Sequence, residues 1–327
     1  MAKLSMVTTV GKPMSDFSAQ NAVCYSGYRL GQDPRQGIFP SYEQVKQDLK
    51  ILAQHWSLLR LYDCSHHAQL VLNVIRNENL PLKVMLGADL GAEVSNPNCP
   101  WGAHYSDKVL TANRLRNQQQ IRQMIDYANA FPEWVFAVSI GNEASVDWND
   151  HMVPVESLIE YAQQVRKAIE HPVTFCENYV PWTDKLIPLV PHLDFISIHT
   201  YPAWEYKDIS EAIAFTEQNY RQVADVFPDK PIVITEAGWA TKSNGQGIDK
   251  QQGNCVNQAQ YCHDLVTWSR KNEVLSFVFE AFDEPWKGSD DPFEPEKHWG
   301  LFYEDRTPKP VVETLLGAPR AIASGGS

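Results

Sequence analysis

Short apolar runs alternate along the chain with longer stretches in which apolar positions recur every three or four residues. Eight of the runs read as strands: NAVCYS from 21, SLLRLYD from 57, LKVMLGA from 82, VFAVSIG from 135, PVTFCEN from 172, LDFISIHT from 193, PIVITEA from 231 and VLSFVFEAF from 274. Helical spacing fills 41–54, 68–78, 110–130, 155–169, 210–226 and 254–271. Near-continuous apolar strands are buried on both faces, which requires a parallel sheet covered by helices, and eight strands are the number that closes a (β/α)8 barrel. The expected fold class is therefore α/β, a single-domain (β/α)8 TIM barrel. A doubly wound open sheet is the competing architecture; it is weakened because no glycine-rich phosphate loop opens a helix after the first strand.

The absence of internal repeats and linkers gives the domain reading: an N-terminal extension over 1–20, a catalytic barrel over 21–318 and a C-terminal tail over 319–327. A length of 327 residues suits one large barrel, and 43% apolar residues suffice for its core. Forty acidic against 28 basic residues leave a net charge of −12 without a basic run, so a nucleic-acid partner is not expected and a neutral substrate fits better. No stretch is long and apolar enough to predict a membrane span. The six cysteines (Cys24, Cys64, Cys99, Cys176, Cys255, Cys262) show no C-x-x-C spacing and read as free buried thiols. That favours a cytoplasmic setting, with a periplasmic or secreted one if a signal peptide has been trimmed. A monomer is expected.

In such a barrel the C-terminal ends of the strands share one mouth, where active sites are built. Those ends supply Tyr25; Arg60, Tyr62 and Asp63; Asp89; Asn142 and Glu143; Glu177 and Asn178; His199 and Tyr201; Glu236 and Trp239; and Glu280, Asp283, Glu284, Trp286 and Lys287. Glu143 and Glu236 would face each other from the fourth and seventh strands. Two carboxylates across a mouth suit acetal cleavage, one protonating the leaving oxygen while the other attacks the anomeric carbon or stabilises charge on it. Asn142 offers an amide to a sugar hydroxyl, and Trp182, Trp204, Trp239, Trp286 and Tyr201 offer ring faces for stacking. Each has a plainer alternative. Glu143 can be a helix cap, Glu236 the buried partner of an arginine, Glu284 and Lys287 a structural ion pair, and the tryptophans core wedges. Arg60 reads as a rim salt bridge, and most of His66, His67, His104, His151 and His199 as surface or loop residues without metal-ligand spacing. GSDDPFEPE lacks the ordered ligands of a calcium loop.

The stretches CYSGYRLGQDP, LLRLYD, VMLGADL, SIGNEA, ISIHTYPAW, ITEAGWAT, FEAFDEPWK and HWGLFYEDRTPKP together resemble glycoside hydrolase family 17, the retaining β-1,3-glucanases and glucanosyltransferases, over nearly the whole chain. The resemblance implies that Glu143 is the general acid/base and Glu236 the nucleophile, that Glu284 and Lys287 lie near the site, and that neither metal nor cofactor takes part. Tyr25, Asp63, Asn142, Tyr201, Trp239 and Trp286 complete the expected substrate-binding set. The implied activity is hydrolysis of laminarin-type β-1,3-glucan or its oligosaccharides by double displacement. A glucanosyltransferase using the same intermediate is the alternative, and a non-catalytic glucan-binding barrel the more distant one. Ala240 and Thr241 in ITEAGWAT, and HTYPAWE, depart from plant members. The loops NPNCPWGAHYS and ATKSNGQGIDKQQGN are candidate walls of the cleft.

Overall fold

The structure, a computed structural model, describes residues 20–316. The expected extension over 1–20, apart from Gln20, and the tail over 319–327 lie outside the described residues. Eight parallel strands close a barrel in chain order: β1 (Ala22–Cys24), β2 (Leu58–Arg60), β3 (Lys83–Gly87), β4 (Val135–Asn142), β5 (Val173–Asn178), β6 (Ile196–His199), β7 (Ile232–Gly238) and β8 (Ser276–Phe279). Every strand expected from the apolar runs forms; most are shortened to their hydrogen-bonded centre, while β4 and β7 each run one residue further at the C-terminal end than expected.

Among the described residues seven α-helices surround the strands: α1 (Tyr42–Leu52), α2 (His66–Asn77), α3 (Asp107–Ala130), α4 (Val155–Ala168), α5 (Ile209–Ala224), α6 (Cys255–Asn272) and α7 (Pro310–Leu316). Polar side chains cap the starts of four of them. Ser41 and Asp208 each close a capping box, with Gln44 and Glu211 respectively, and Ser65 and Asn254 accept from backbone N–H groups of the first turn. The β5-to-β6 crossover carries no α-helix but two 3-10 turns, Val180–Thr183 and Val190–His192. Prolines in both turns, and a third at 188, disfavour a longer helix there.

The strand register positions the mouth. Shifts in pairing fall between Ser139 and Asn142, between Ile198 and His199, and between Ile234 and Ala237. Each lies in the last residues of its strand, where an irregularity re-aims side chains relative to the regular alternation. Asn142, His199 and Glu236 occupy those segments.

Candidate active site

Glu143 follows β4 directly and has a left-handed backbone, φ 45°. This conformation is uncommon for a residue with a Cβ and persists only where the surroundings impose it. Here the Glu143 N–H donates to the Cys176 carbonyl at 2.9 Å, and Asn149 Nδ2 donates to the Glu143 carbonyl at 2.8 Å. Asn149 is itself held, because Asn96 Nδ2 donates to its carbonyl at 2.7 Å. The helix-cap alternative for Glu143 fails, since α4 begins with Pro154 as its N-cap residue. Gly141, two residues earlier, does not make the turn. Gly141 is still within β4, and a Cβ there would lie 2.9 Å from Leu90 and 3.0 Å from Phe175, so close packing is what requires it.

Glu236 is 4% exposed and accepts from Arg60 at one carboxylate oxygen and from the Tyr201 hydroxyl at the other. Arg60 also donates to Asn142 Oδ1 and, at 3.2 Å, to the Thr235 carbonyl. Binding Oδ1 to the guanidinium leaves the Asn142 amide nitrogen as the donor end. The arginine-partner reading of Glu236 and its place at the mouth are therefore both true. His199 Nδ1 lies 2.7 Å from Glu143 Oε1 and 3.5 Å from Glu236 Oε2. Ligand atoms of Glu143, His199 and Glu236 all fall within 4.8 Å of one another. These three could hold a cation by geometry, but Arg60 already supplies positive charge to Glu236 in that space.

Burial alone would push the Glu236 carboxyl up; His199 and Arg60 outweigh it and, with the Tyr201 hydrogen bond, hold it at about 2. Burial opposes charge on His199, yet Glu236 and hydrogen bonds to Cys176 and Glu143 raise its imidazole to about 10. Beneath them, Cys176 would be driven up by burial, but Arg60 and His199 bring its thiol down to about 7. Glu177, fully buried at the end of β5, accepts from Ser145 N at 2.8 Å, Ser145 Oγ at 2.7 Å and Asn178 N at 2.7 Å. Burial and the neighbouring Glu143 charge push it up to about 7.

A second cluster follows β8. Lys287 Nζ reaches Glu280 at 3.0 Å and also pairs with Glu284, whose other oxygen accepts from Ser26 Oγ and, at 3.0 Å, from Trp286 Nε1. Burial and the charge of Glu284 raise Glu280, while Lys287 overcomes burial to lower Glu284. Half-buried Glu296 is raised to about 7, mainly by burial and against the pull of Lys287, with Glu143 adding to the rise.

The remaining expected positions separate into rim and scaffold. Trp286 is partly exposed and packs against Tyr28 and the Arg35 guanidinium. Tyr201 is partly exposed beside Phe279 and Trp299. Asp63 is partly exposed and accepts from Ser65 N at 2.9 Å, supporting the start of α2. Tyr25, expected at the mouth, is 1% exposed and donates to Asp48 on α1 at 3.1 Å. Trp239 and Trp182, expected as stacking faces, are fully buried; their indole N–H groups donate to the Gln252 and Ser197 carbonyls, so neither presents a ring to solvent.

Of the five histidines, His66 and His104 are exposed and His151 half-buried, as expected of most, while His199 and His67 are buried at 0% and 5% exposure. Arg60, Glu177, His199 and Glu280 all stood among the strand ends, but only the three-dimensional pairing separates them from other polar residues there. Glu296 had no such position; in the sequence it stands only as the last residue of GSDDPFEPE, two residues before HWGLF begins.

Loops after the strands expose aromatic rings: Trp101 after β3, Trp148 after β4, Tyr206 after β6 and Phe293 after β8. The β7 loop folds back over Trp204. Gly247 has φ +76° and a Cβ there would lie 2.0 Å from the Trp204 ring, so only glycine permits this approach.

A family model described as the BtgE/BtgC glycoside hydrolase domain matches residues 22–300. A probable glucan endo-1,3-β-glucosidase of Aspergillus clavatus is 27% identical over 272 residues, covering 76% of this chain and 36% of that protein. Its counterpart in Aspergillus fumigatus is 27% identical over 302 residues, covering 84% of this chain and 40% of the relative. The chain thus spans about two fifths of the length of these relatives. Among solved structures, an endo-laminarinase from Formosa superposes with a TM-score of 0.78 at 25% identity, covering 95% of this chain and 92% of the other. A family 17 β-1,3-glucanosyltransferase from Rhizomucor miehei shares the fold, with a TM-score of 0.70 at 21% identity and coverage of 91% and 98%.

Proposed function

The chain belongs to the BtgE/BtgC glycoside hydrolase domain family, and from that premise we propose that it cleaves β-1,3-glucan or its oligosaccharides with retention, as a family 17 type enzyme. The observation that carries this reading is the pair of carboxylates, with an oxygen of Glu143 within 4.8 Å of one of Glu236. Retaining glycosidases hold their two carboxyl groups roughly 5–5.5 Å apart, whereas inverting enzymes leave room for a water between groups about 6.5–9.5 Å apart.

Glu236, kept ionised by Arg60, His199 and Tyr201, attacks the anomeric carbon while Glu143 protonates the departing oxygen. Glu143 then takes a proton from the water that hydrolyses the glycosyl ester. Asn142 donates to a sugar hydroxyl from its amide nitrogen. Trp286 and Tyr201 line the sugar site, and Lys287 and Glu284 shape its floor. The chemistry assigned to these residues needs neither metal nor cofactor.

The exposed rings of Trp101 and Trp148 favour a second reading, transfer of the glucosyl group to another glucan. Stacked rings on the loops after β3 and β4 would hold an acceptor sugar against water. A time course on β-1,3-gluco-oligosaccharides of defined length, followed by NMR for anomer and chromatography for size, tests both. An initial β-anomer, lost in Glu143→Gln and Glu236→Gln, is the expected result. An initial α-anomer or full activity in either variant overturns the mechanism, and products longer than the substrate favour transfer.

A further inference from the structure

His199 is completely buried at the end of β6, and its Nδ1 faces two acceptors, Glu143 Oε1 at 2.7 Å and Glu236 Oε2 at 3.5 Å. Among the described residues its Nε2 makes no hydrogen bond of ordinary geometry, and the Cys176 thiol is the further hydrogen-bonding group set against the ring. An unprotonated Nδ1 would set a lone pair against the ionised Glu236, so the arrangement calls for a proton on Nδ1, and a glutamate on either side of that N–H favours the doubly protonated ring over the neutral Nδ1–H tautomer. The charged and titratable groups that face the ring are Glu143 from β4, Cys176 from β5, Glu236 from β7 and Arg60 from β2.

We propose that His199 is a positioning residue that keeps an imidazolium between the two glutamates, serving as counter-ion to Glu236 before glycosyl transfer and to Glu143 after it. This rests on the roles proposed for the two glutamates. In the first step the proton on Glu143 passes to the glycosidic oxygen, the bond from that oxygen to the anomeric carbon breaks, and a Glu236 oxygen bonds to the carbon. Glu236 thereby loses its negative charge as an ester and Glu143 gains one as a carboxylate. The pair carries one negative charge before and after, and that charge moves from one side of Nδ1–H to the other. In the second step Glu143 takes a proton from water, the water oxygen bonds to the anomeric carbon, and Glu236 departs as carboxylate, restoring the start.

A cation placed between the carboxylates need not move when the charge does, so little reorganisation accompanies the step. Burial opposes the cation, and the two glutamates facing Nδ1 offset that cost: β6 fixes the backbone so that the ring stays between them, and without screening water their attraction is stronger.

Two measurements test this. The first needs no substrate: 15N NMR of the histidine rings in the whole protein, with His199 assigned by the signals lost in His199→Gln. Both ring nitrogens should remain protonated through pH 8, and Glu236→Gln should lower the pH at which the proton leaves. A neutral ring at pH 7 overturns the proposal, whether or not the protein proves to be a glucanase. The second is the pH profile of kcat/KM. His199→Gln should lower kcat by roughly 10²-fold and move the acid limb upward by about one pH unit as Glu236 loses a cation. Loss of activity with an unmoved acid limb would mean a packing role only and overturn the counter-ion assignment. Should His199→Gln fail to fold, the wild-type ring is assigned by its selective response in Glu236→Gln, and the first measurement still decides.

Discussion

Replacing Glu177 by Gln separates the electrostatic from the hydrogen-bonding contribution of a carboxylate buried beside Glu143. Glu177 is raised from 4.5 to about 7, chiefly by burial and then by Glu143. A carboxyl raised in the folded state contributes stability that is fully present below the unfolded value and is lost as pH rises through the folded one. In the wild type that loss runs from about pH 4.5 to just above 7 and amounts to roughly 3 kcal/mol. Gln cannot ionise, so its stability lacks this decline. It does carry a constant penalty. The carboxylate accepts from Ser145 and Asn178 on its two oxygens, and Gln must turn an NH2 group toward one of those donors, which costs about 1–3 kcal/mol. Wild type should therefore be the more stable protein at pH 4.5, with the difference shrinking by about 3 kcal/mol and closing or reversing by pH 8. Urea unfolding of both proteins at fixed ionic strength across that range measures it. Parallel stability curves would refute the reasoning, because they would show that Glu177 titrates alike in folded and unfolded chains.

Asp48 is fully buried and pairs with Arg306 at 2.6 Å and Arg29 at 2.8 Å while accepting from Tyr25. Asp48→Ala, which strands the buried Arg306, should cost about 3–5 kcal/mol and lower Tm by about 5–8 °C for a domain of this size, as read by calorimetry, with kcat/KM of the surviving folded protein little changed. Tyr201→Phe removes a donor from the Glu236 carboxylate; hydrogen bonds to charged groups contribute about 1.5–3 kcal/mol, so kcat should fall about 10- to 100-fold while the unfolding midpoint stays near wild type. Trp239→Ala opens a cavity in the fully buried layer against Tyr261 and should destabilise by about 3–5 kcal/mol; an unchanged midpoint would mean that the ring is not part of the core.

Much of the fold was legible because a parallel barrel writes itself into the sequence as unbroken apolar runs, and β4, β5 and β7 are buried along almost their whole length. Glu143 and Glu236 could be placed at one mouth for the same reason: the end of a strand is a fixed place once the barrel is known. What stayed hidden depends on partners distant in sequence. Arg60 could be read as a rim salt bridge because nothing local says that β2 aims its guanidinium at a carboxylate of β7 and an amide of β4. His199 was hidden by its neighbours, since a histidine at a strand end becomes an imidazolium only when two glutamates are brought within reach of Nδ1. The tryptophans divide by loop packing. Trp239 and Trp101 carry the same side chain, yet one is sealed beneath the β7 loop and the other is 65% exposed after β3. Burial of an aromatic ring near a barrel mouth is decided by the path of the loop above it, and periodicity carries no record of that path. The turn at Glu143 shows the limit most directly. Gly141, two residues earlier, is where a turn would be sought in the sequence, but the left-handed residue is the glutamate, held there by the Cys176 carbonyl and Asn149. Strain accepted at Glu143 fixes where its carboxylate points, and the supports that impose it lie in β5 and in the loop before α4.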